Sequence, residues 1–202
     1  TQETLDASLA LALKYNKKVG AHPSYPDREN FGRVSIPIPD GELIESIGQQ
    51  IEWFTKSARA HNLSLDHIKF HGALYNDAAK DSDLANPLTD FLLENYPQTP
   101  LLVPPHSELE KKAQEKGLLI RLEVFADRAY RSDYLLSSRS LQGSLLKDIA
   151  SVEPQVKRLL LEGELLSLEG IRLPIQADTL CFHGDNPGIV DFLPLLRKRY
   201  WT

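Results

Sequence analysis

The chain has 202 residues, a length that favours one domain, and its 42% hydrophobic and 25% charged content fits an ordinary soluble globular protein. A net charge of −5 and a pI near 5.7 leave no basic field to condense on phosphate backbones or anionic lipid, which disfavours nucleic-acid and membrane-surface roles. No apolar stretch approaches the roughly 18–20 residues of a membrane span, no secretory leader is read, and the single Cys181 can form no intrachain disulfide, so a cytoplasmic compartment is expected.

The first stretch, TQETLDASLALALKYN, predicts a helix with Leu5, Leu9, Ala12 and Leu13 on one face and Thr1 or Thr4 as its cap. Because the chain starts at Thr1, inside a helix, and contains no methionine, residues upstream are expected. A short apolar run, Val19 to Ala21, ends at His22 and gives way to the polar loop PSYPDRENFGR. An amphipathic helix over about Asp40–His61 follows, with Leu43, Ile47, Ile51 and Phe54 in register. The run HIKFHGALYND ends at His71 and Gly72, a helical segment covers about Leu84–Glu94, and PLLVPPH is the next run. A helix over Glu108–Lys116 stops at Gly117, and LLIRLEVFADRAYR ends a further run at Asp127. After a helix over Lys147–Glu162, ELLSLEGIRLPI predicts a hairpin turning at Glu169-Gly170. The last run, ADTLCF, ends at His183, and Asn186 to Arg199 predicts a closing helix with Pro187 in its first turn.

Short apolar strands alternating with helices mean α/β architecture with a parallel sheet covered on both faces. No repeat and no low-complexity linker is present, so the expectation is one domain over residues 1–202. Periodicity alone does not separate a barrel from an open sheet.

His22, His71, His106, Asp127 with Arg128, and His183 with Asp185 each fall just past the C-terminal end of a predicted strand, where parallel α/β folds place ligand sites. His61 and His67 do not, and are read as solvated or packing residues. The loop after His22 is longer than most α/β connections, which favours a functional role. Lys69 and His71, two apart in a strand, would share a side; a lysine turned into a barrel interior needs an anion or an acidic partner. Arg128 and Arg131 suit bidentate recognition of carboxylate or phosphate, although an Asp-Arg pair at a loop edge is commonly a solvated ion pair. In HGDNPG the bland reading makes Asp185 or Asn186 a helix cap, which explains Asn186 well and His183 poorly. No GxxxxGK[ST], GxGxxG, HExxH, CxxC or GxSxG motif occurs. The spacing leaves room for a divalent metal without pointing to one.

The blocks GAHPSYPD (20–27) with FGR (31–33), HGALYND (71–77), EVFADRAYRSD (123–133), SSR (137–139) and HGDNPG (183–188) together resemble the LamB/YcsF family, in order and spacing, over essentially the whole chain. What the resemblance implies is an irregular seven-stranded (β/α) barrel of the glycoside hydrolase/deacetylase type. It implies ATP-dependent ring opening of 5-oxo-L-proline to L-glutamate in the role of the A component of a multi-subunit 5-oxoprolinase, with the B and C components as partners and ATP as co-substrate. Members normally begin with a strand carrying Asn-x-Asp-x-Gly-Glu and a GFHAGD-like motif. Neither is in this sequence, so the barrel is expected to lack its N-terminal strands here, with apolar edges that a second copy would cover. Phe70 stands where the family has proline, and Tyr134 where it has glycine.

Opening a lactam means attacking an unreactive amide carbonyl, and ATP suggests activating its oxygen by phosphorylation. Such a site needs proton-handling groups, oxyanion donors and cations for carboxylate and phosphate. His22, His71, Asp127, His183 and Asp185 are the candidates for proton handling. Lys69, Arg128 and Arg131 are expected to bind anions, and Asn76 or Asn186 to donate to the carbonyl, with Tyr75 beside them in the substrate-binding set. Two rival readings use the same strand ends: a metal-dependent deacetylase or other carbohydrate hydrolase, and a non-catalytic substrate-binding subunit.

Overall fold

The computed structural model describes residues 1–201, which pack as two compact units. The first comprises Thr1–Val103 with Glu108–Arg121, and the second Pro104–Ser107 with the chain from Leu122 onward.

In the first unit, α1 (Gln2–Lys14) is capped by the Thr1 hydroxyl, which accepts from the Thr4 N–H. Of its expected apolar face only Leu9 is fully buried, and Leu13 stays exposed. The helix is fixed to α2 (Asp40–Ala60) through polar contacts as well: Gln2 meets Ser57 and Trp53, and His61 meets Asp6. Leu43, Ile47 and Ile51 of α2 are buried, as the spacing predicts. Strands β1 (Val19–Ala21), β2 (Leu65–Ile68) and β3 (Leu101–Val103) are parallel neighbours, β1 on β2 and β2 on β3.

Between β2 and α4 (Ser82–Asn95) lies a helix that periodicity misses, α3 (Gly72–Lys80). It spans nine residues, opens on glycine with no side-chain cap, and contains Asn76 and Asp77, all poor helix signals. It forms because Ala73, Leu74, Tyr75, Ala78 and Ala79 bury one face, a tertiary gain that outweighs propensity. Helix α5 (Glu108–Glu115) leads through Gly117 into β4 (Ile120–Phe125).

In the second unit β4 pairs in parallel with β7 (Thr179–Cys181), from Glu123↔Thr179 to Phe125↔Cys181. Helix α6 (Ile149–Glu162) carries a capping box between Asp148 and Ser151, and Gly163 ends it in the left-handed conformation. Ala126, Val152, Val156, Phe192 and Leu196 form the buried centre between the strand end, α6 and α7 (Ile189–Tyr200). Strands β5 (Glu164–Leu166) and β6 (Arg172–Pro174) form the expected hairpin, with Gly170 at positive φ in its turn.

Seven strands are present among the described residues, and they are not the seven of a barrel, since two belong to this antiparallel hairpin. The five parallel ones are two fewer than the seven of the barrel implied by the resemblance. Pro187 does not start the last helix: α7 begins at Ile189, because His183–Asn186 and Asn186–Ile189 form separate turns first. Cys181 is half-buried in β7. No helix is long and apolar enough to cross a membrane among the described residues.

Candidate functional site

Each unit gathers part of the expected set. In the first, the parallel backbone pattern continues past the strands, with the Lys69 N–H donating to the Ala21 carbonyl and the His71 N–H to the Pro23 carbonyl. This carries His22 and His71 to adjacent positions beyond β1 and β2. Gln50 of α2 pins the following loop by accepting from the Ser24 N–H and donating to the Ser24 carbonyl.

His22 Nδ1 lies 2.8 Å from the Lys69 carbonyl oxygen, and its Nε2 lies 3.0 Å from His71 Nδ1. His71 Nε2 is in turn 3.0 Å from the Phe31 carbonyl oxygen, and the two imidazoles meet edge-on at 81°. The FGR and HGALYN blocks thus touch directly. The Ala73 N–H donates to the Gly32 carbonyl at 2.9 Å, and Gly72 takes φ +59° where a Cβ would land on that same oxygen.

Lys69 is half-buried, its Nζ 5.8 Å from the centre of the Tyr75 ring. Tyr75 is buried in α3, while Asn76 donates to the Gly72 carbonyl one turn back. Tyr25 donates to Asp77, and burial together with that negative charge pushes its phenol up to about 12.

In the second unit Asp127 is completely buried immediately after β4. Its carboxylate accepts from His183 Nδ1–H at 2.7 Å, from the His183 backbone N–H at 3.0 Å, and from the Asn186 amide at 3.0 Å. Burial pushes the carboxyl upward, but these donors outweigh it and hold it below its ordinary range. The His183 ring lies on Phe125 with centroids 4.9 Å apart and nearly parallel planes. Since the carboxylate only accepts, His183 Nδ1 carries a proton and Nε2 is the accepting nitrogen of the neutral ring, the arrangement of a general base oriented by a buried acid.

Asn186 serves the architecture. Its amide donates to Asp127 and to the Leu146 carbonyl, and its oxygen accepts from the Gly188 N–H. Both donors expected for a substrate carbonyl are therefore engaged. Gly188 sits where a Cβ would overlap the Lys147 carbonyl, so the end of HGDNPG is clamped against residues 146–147.

Arg128 likewise faces the protein. It is buried and donates to the Ser144 and Ser137 carbonyls, bracing the 137–144 loop. Burial, reinforced by the Arg139 charge, pushes its guanidinium down to about 10. Arg131 is exposed and paired with Asp133 at 2.8 Å. Asp185 is exposed, 3.4 Å from Arg139, the last residue of the SSR block and a cation that the strand-end pattern leaves out.

Gln155 of α6 also escapes that pattern. Its buried amide donates to the Phe125, Ala126 and Arg128 carbonyls and holds the strand end that carries Asp127. A glutamine between Val152 and Val156, in the middle of an apolar face, is the signal available in the sequence. His106 and Tyr134 meet with tilted rings, centroids 4.2 Å apart, and both take positive φ, a conformation that favours glycine. His61 and His67 sit against Asp6 and Asp66, as packing residues. No three histidine, cysteine, aspartate or glutamate side chains form a group able to hold a metal ion among the described residues.

The LamB/YcsF family model matches residues 1–201. The A subunit of the 5-oxoprolinase of Erwinia tasmaniensis is 37% identical over 198 residues, 98% of this chain and 81% of that protein. The protein of the same name from Halalkalibacterium halodurans is 34% identical over 192 residues, 95% of this chain and 75% of that one. The crystal structure of a lactam utilization protein from Thermus thermophilus matches with a TM-score of 0.89 at 31% identity, covering 98% of this chain and 81% of that chain. The α/β fold read from the sequence is the fold of that protein.

Proposed function

The chain belongs to the LamB/YcsF family, and from that premise we propose that it acts as the A component of a multi-subunit 5-oxoprolinase, opening 5-oxo-L-proline to L-glutamate with cleavage of ATP. The relatives' names support the role. The observation that carries the chemistry is the Asp127–His183 pair, a base with its tautomer fixed by a buried carboxylate. Lactam hydrolysis needs such a group. Transfer of the terminal phosphoryl of ATP to the lactam oxygen releases ADP and makes the ring carbon electrophilic. Water then adds to that carbon with loss of its proton to His183 Nε2, the C–N bond breaks as nitrogen takes up a proton and leaves an acyl phosphate, and a second water hydrolyses that acyl phosphate to glutamate and phosphate.

Asp127 supports the imidazolium that forms without itself being protonated, since its donors favour the ionised carboxylate. Asn186 and Gln155 fix Asp127 and the strand end behind it, and act as positioning residues. Arg139, exposed and loosely held at 3.4 Å by Asp185, is the cation of this unit best able to leave its partner for an anionic substrate group.

The test is oxoproline-dependent ATP cleavage by the full chain assembled with the B and C components. His183→Ala and Arg139→Ala are expected to lose turnover, and Arg131→Ala to keep it. Turnover unaffected by His183→Ala overturns the reading.

A further inference from the structure

Helix α6 carries a cation with an unmet donor. Arg158 is half-buried, and its Nε is buried and meets no acceptor among the described residues. A buried N–H left without an acceptor destabilises the fold until one is supplied. Arg158 lines a groove of about 560 Å³ within the second unit, formed by α6 residues between Ile149 and Glu162 and by Tyr200 of α7. That volume is in the range of small-molecule sites.

The pairing of the other charged groups decides the sign of the groove. Glu153 is engaged by Arg199 and accepts from the Tyr200 hydroxyl at 3.3 Å. Glu162 lies 3.6 Å from Arg172 of β6. Both carboxylates of the groove are thus offset by arginines that do not line it. Lys157 is exposed and acts on Glu153 only through space, with no ion pair of its own among the described residues. Two cations, Lys157 and Arg158, are left uncommitted.

We propose that this groove binds a small carboxylate, with Arg158 as the fork and Lys157 as the second cation. The class follows from the donors. Nε–H and one Nη–H lie parallel along one edge of a guanidinium and match the two oxygens of a planar carboxylate. A phosphate dianion would bring more negative charge against Glu153 and Glu162. Pro154 and the Tyr200 ring give the carbon part of the ligand an apolar wall. Because Nε lies below the surface, its acceptor must enter the groove, which favours a small molecule over a flat partner face. The groove shares no residue with Asp127, His183 or Arg139, so it stands independently of the reaction proposed above.

The experiment follows the Arg158 Nε–H by NMR of the isotope-labelled full chain, with the signal assigned through its own backbone resonances. Acetate, 5-oxo-L-proline and inorganic phosphate are each titrated against sodium chloride at neutral pH and constant ionic strength. Both carboxylates are expected to move the signal downfield to saturation, at lower concentration than phosphate. Lys157→Gln is expected to raise the apparent dissociation constant about two- to fivefold. Arg158→Lys, followed on the Tyr200 ring, is expected to lose about tenfold or more, because one point charge replaces two charge-assisted hydrogen bonds. An Nε–H that neither carboxylate moves to saturation overturns the proposal, and so does tighter binding of phosphate. A shift produced only by the B and C components makes the groove a protein contact and overturns it as well. The unsubstituted chain decides these outcomes even if a variant does not fold, and the readout needs no turnover.

Discussion

Asp127 grips His183 at two points, accepting from its ring Nδ1–H at 2.7 Å and from its backbone N–H at 3.0 Å. One buried carboxylate thus sets where the HGDNPG turn begins and which ring nitrogen keeps its lone pair. Replacing Asp127 by asparagine retains the shape but turns one accepting oxygen into an NH2 donor, so the side chain no longer accepts from both His183 and Asn186 and no longer fixes the tautomer. Oxoproline-dependent ATP cleavage by the assembled enzyme is expected to fall by about 10²–10⁴-fold. His183→Ala should cost a similar amount, and the double variant little more than either, because the two residues act as a unit. Steady-state rates of the three variants check this.

The same contact makes stability depend on pH. The folded Asp127 carboxyl is held below its unfolded value near about 3.9, so its contribution is complete above that value and is lost as pH falls through the folded one. Asp66 adds in the same direction: Arg121 first, then Lys18 and His67, outweigh its burial and hold its carboxyl well below the usual range. Urea unfolding midpoints are expected to drop below about pH 4 in the unsubstituted chain, and to drop less in Asp127→Asn. An identical acid profile for the two proteins would contradict the assignment.

Gln155 occupies a position where an aliphatic residue would suit the apolar face of α6, yet it donates to three carbonyls at the end of β4. Gln155→Leu leaves those carbonyls buried without a donor. The expected cost is about 1–3 kcal/mol of unfolding free energy by urea titration, with reduced turnover at temperatures where the variant is still folded.

Three glycines separate backbone strain from steric overlap. Gly117 takes φ +71° with open space around it, so Gly117→Ala should cost only about 1–2 kcal/mol for the left-handed conformation. In Gly72→Ala a Cβ also meets the Gly32 carbonyl, and about 1–3 kcal/mol more is expected from the overlap. Gly188→Ala meets the Lys147 carbonyl without any conformational cost, since φ there is −95°. Unfolding midpoints should rank Gly117→Ala as the mildest of the three.

Much of the scaffold is legible in the sequence because burial leaves a period. Leu43, Ile47 and Ile51 declare α2, the Glu169-Gly170 turn declares the β5–β6 hairpin, and apolar runs ending in His22, His71, Asp127 and His183 declare strand ends. Helix α3 is not legible, since nine residues with a glycine start and no cap carry almost no local signal. Nor is the last helix boundary, because the turns of HGDNPG are fixed by Asp127 and by the carbonyls at 146 and 147, about forty to sixty residues away in sequence.

The sequence by itself determined the α/β class, the family, and which polar residues cluster after strands, because these depend on local periodicity and on the order of blocks along one chain. Tertiary structure alone decided the division of labour within the clusters. Arg128 and Asn186, both suited by type to a ligand, commit their donors to Ser137, Ser144, Leu146 and Asp127. His22, by type a base, is engaged at both ring nitrogens. The reason is that a donor or acceptor is defined by residue type, whereas its availability depends on which backbone group the fold brings within about 3 Å of it.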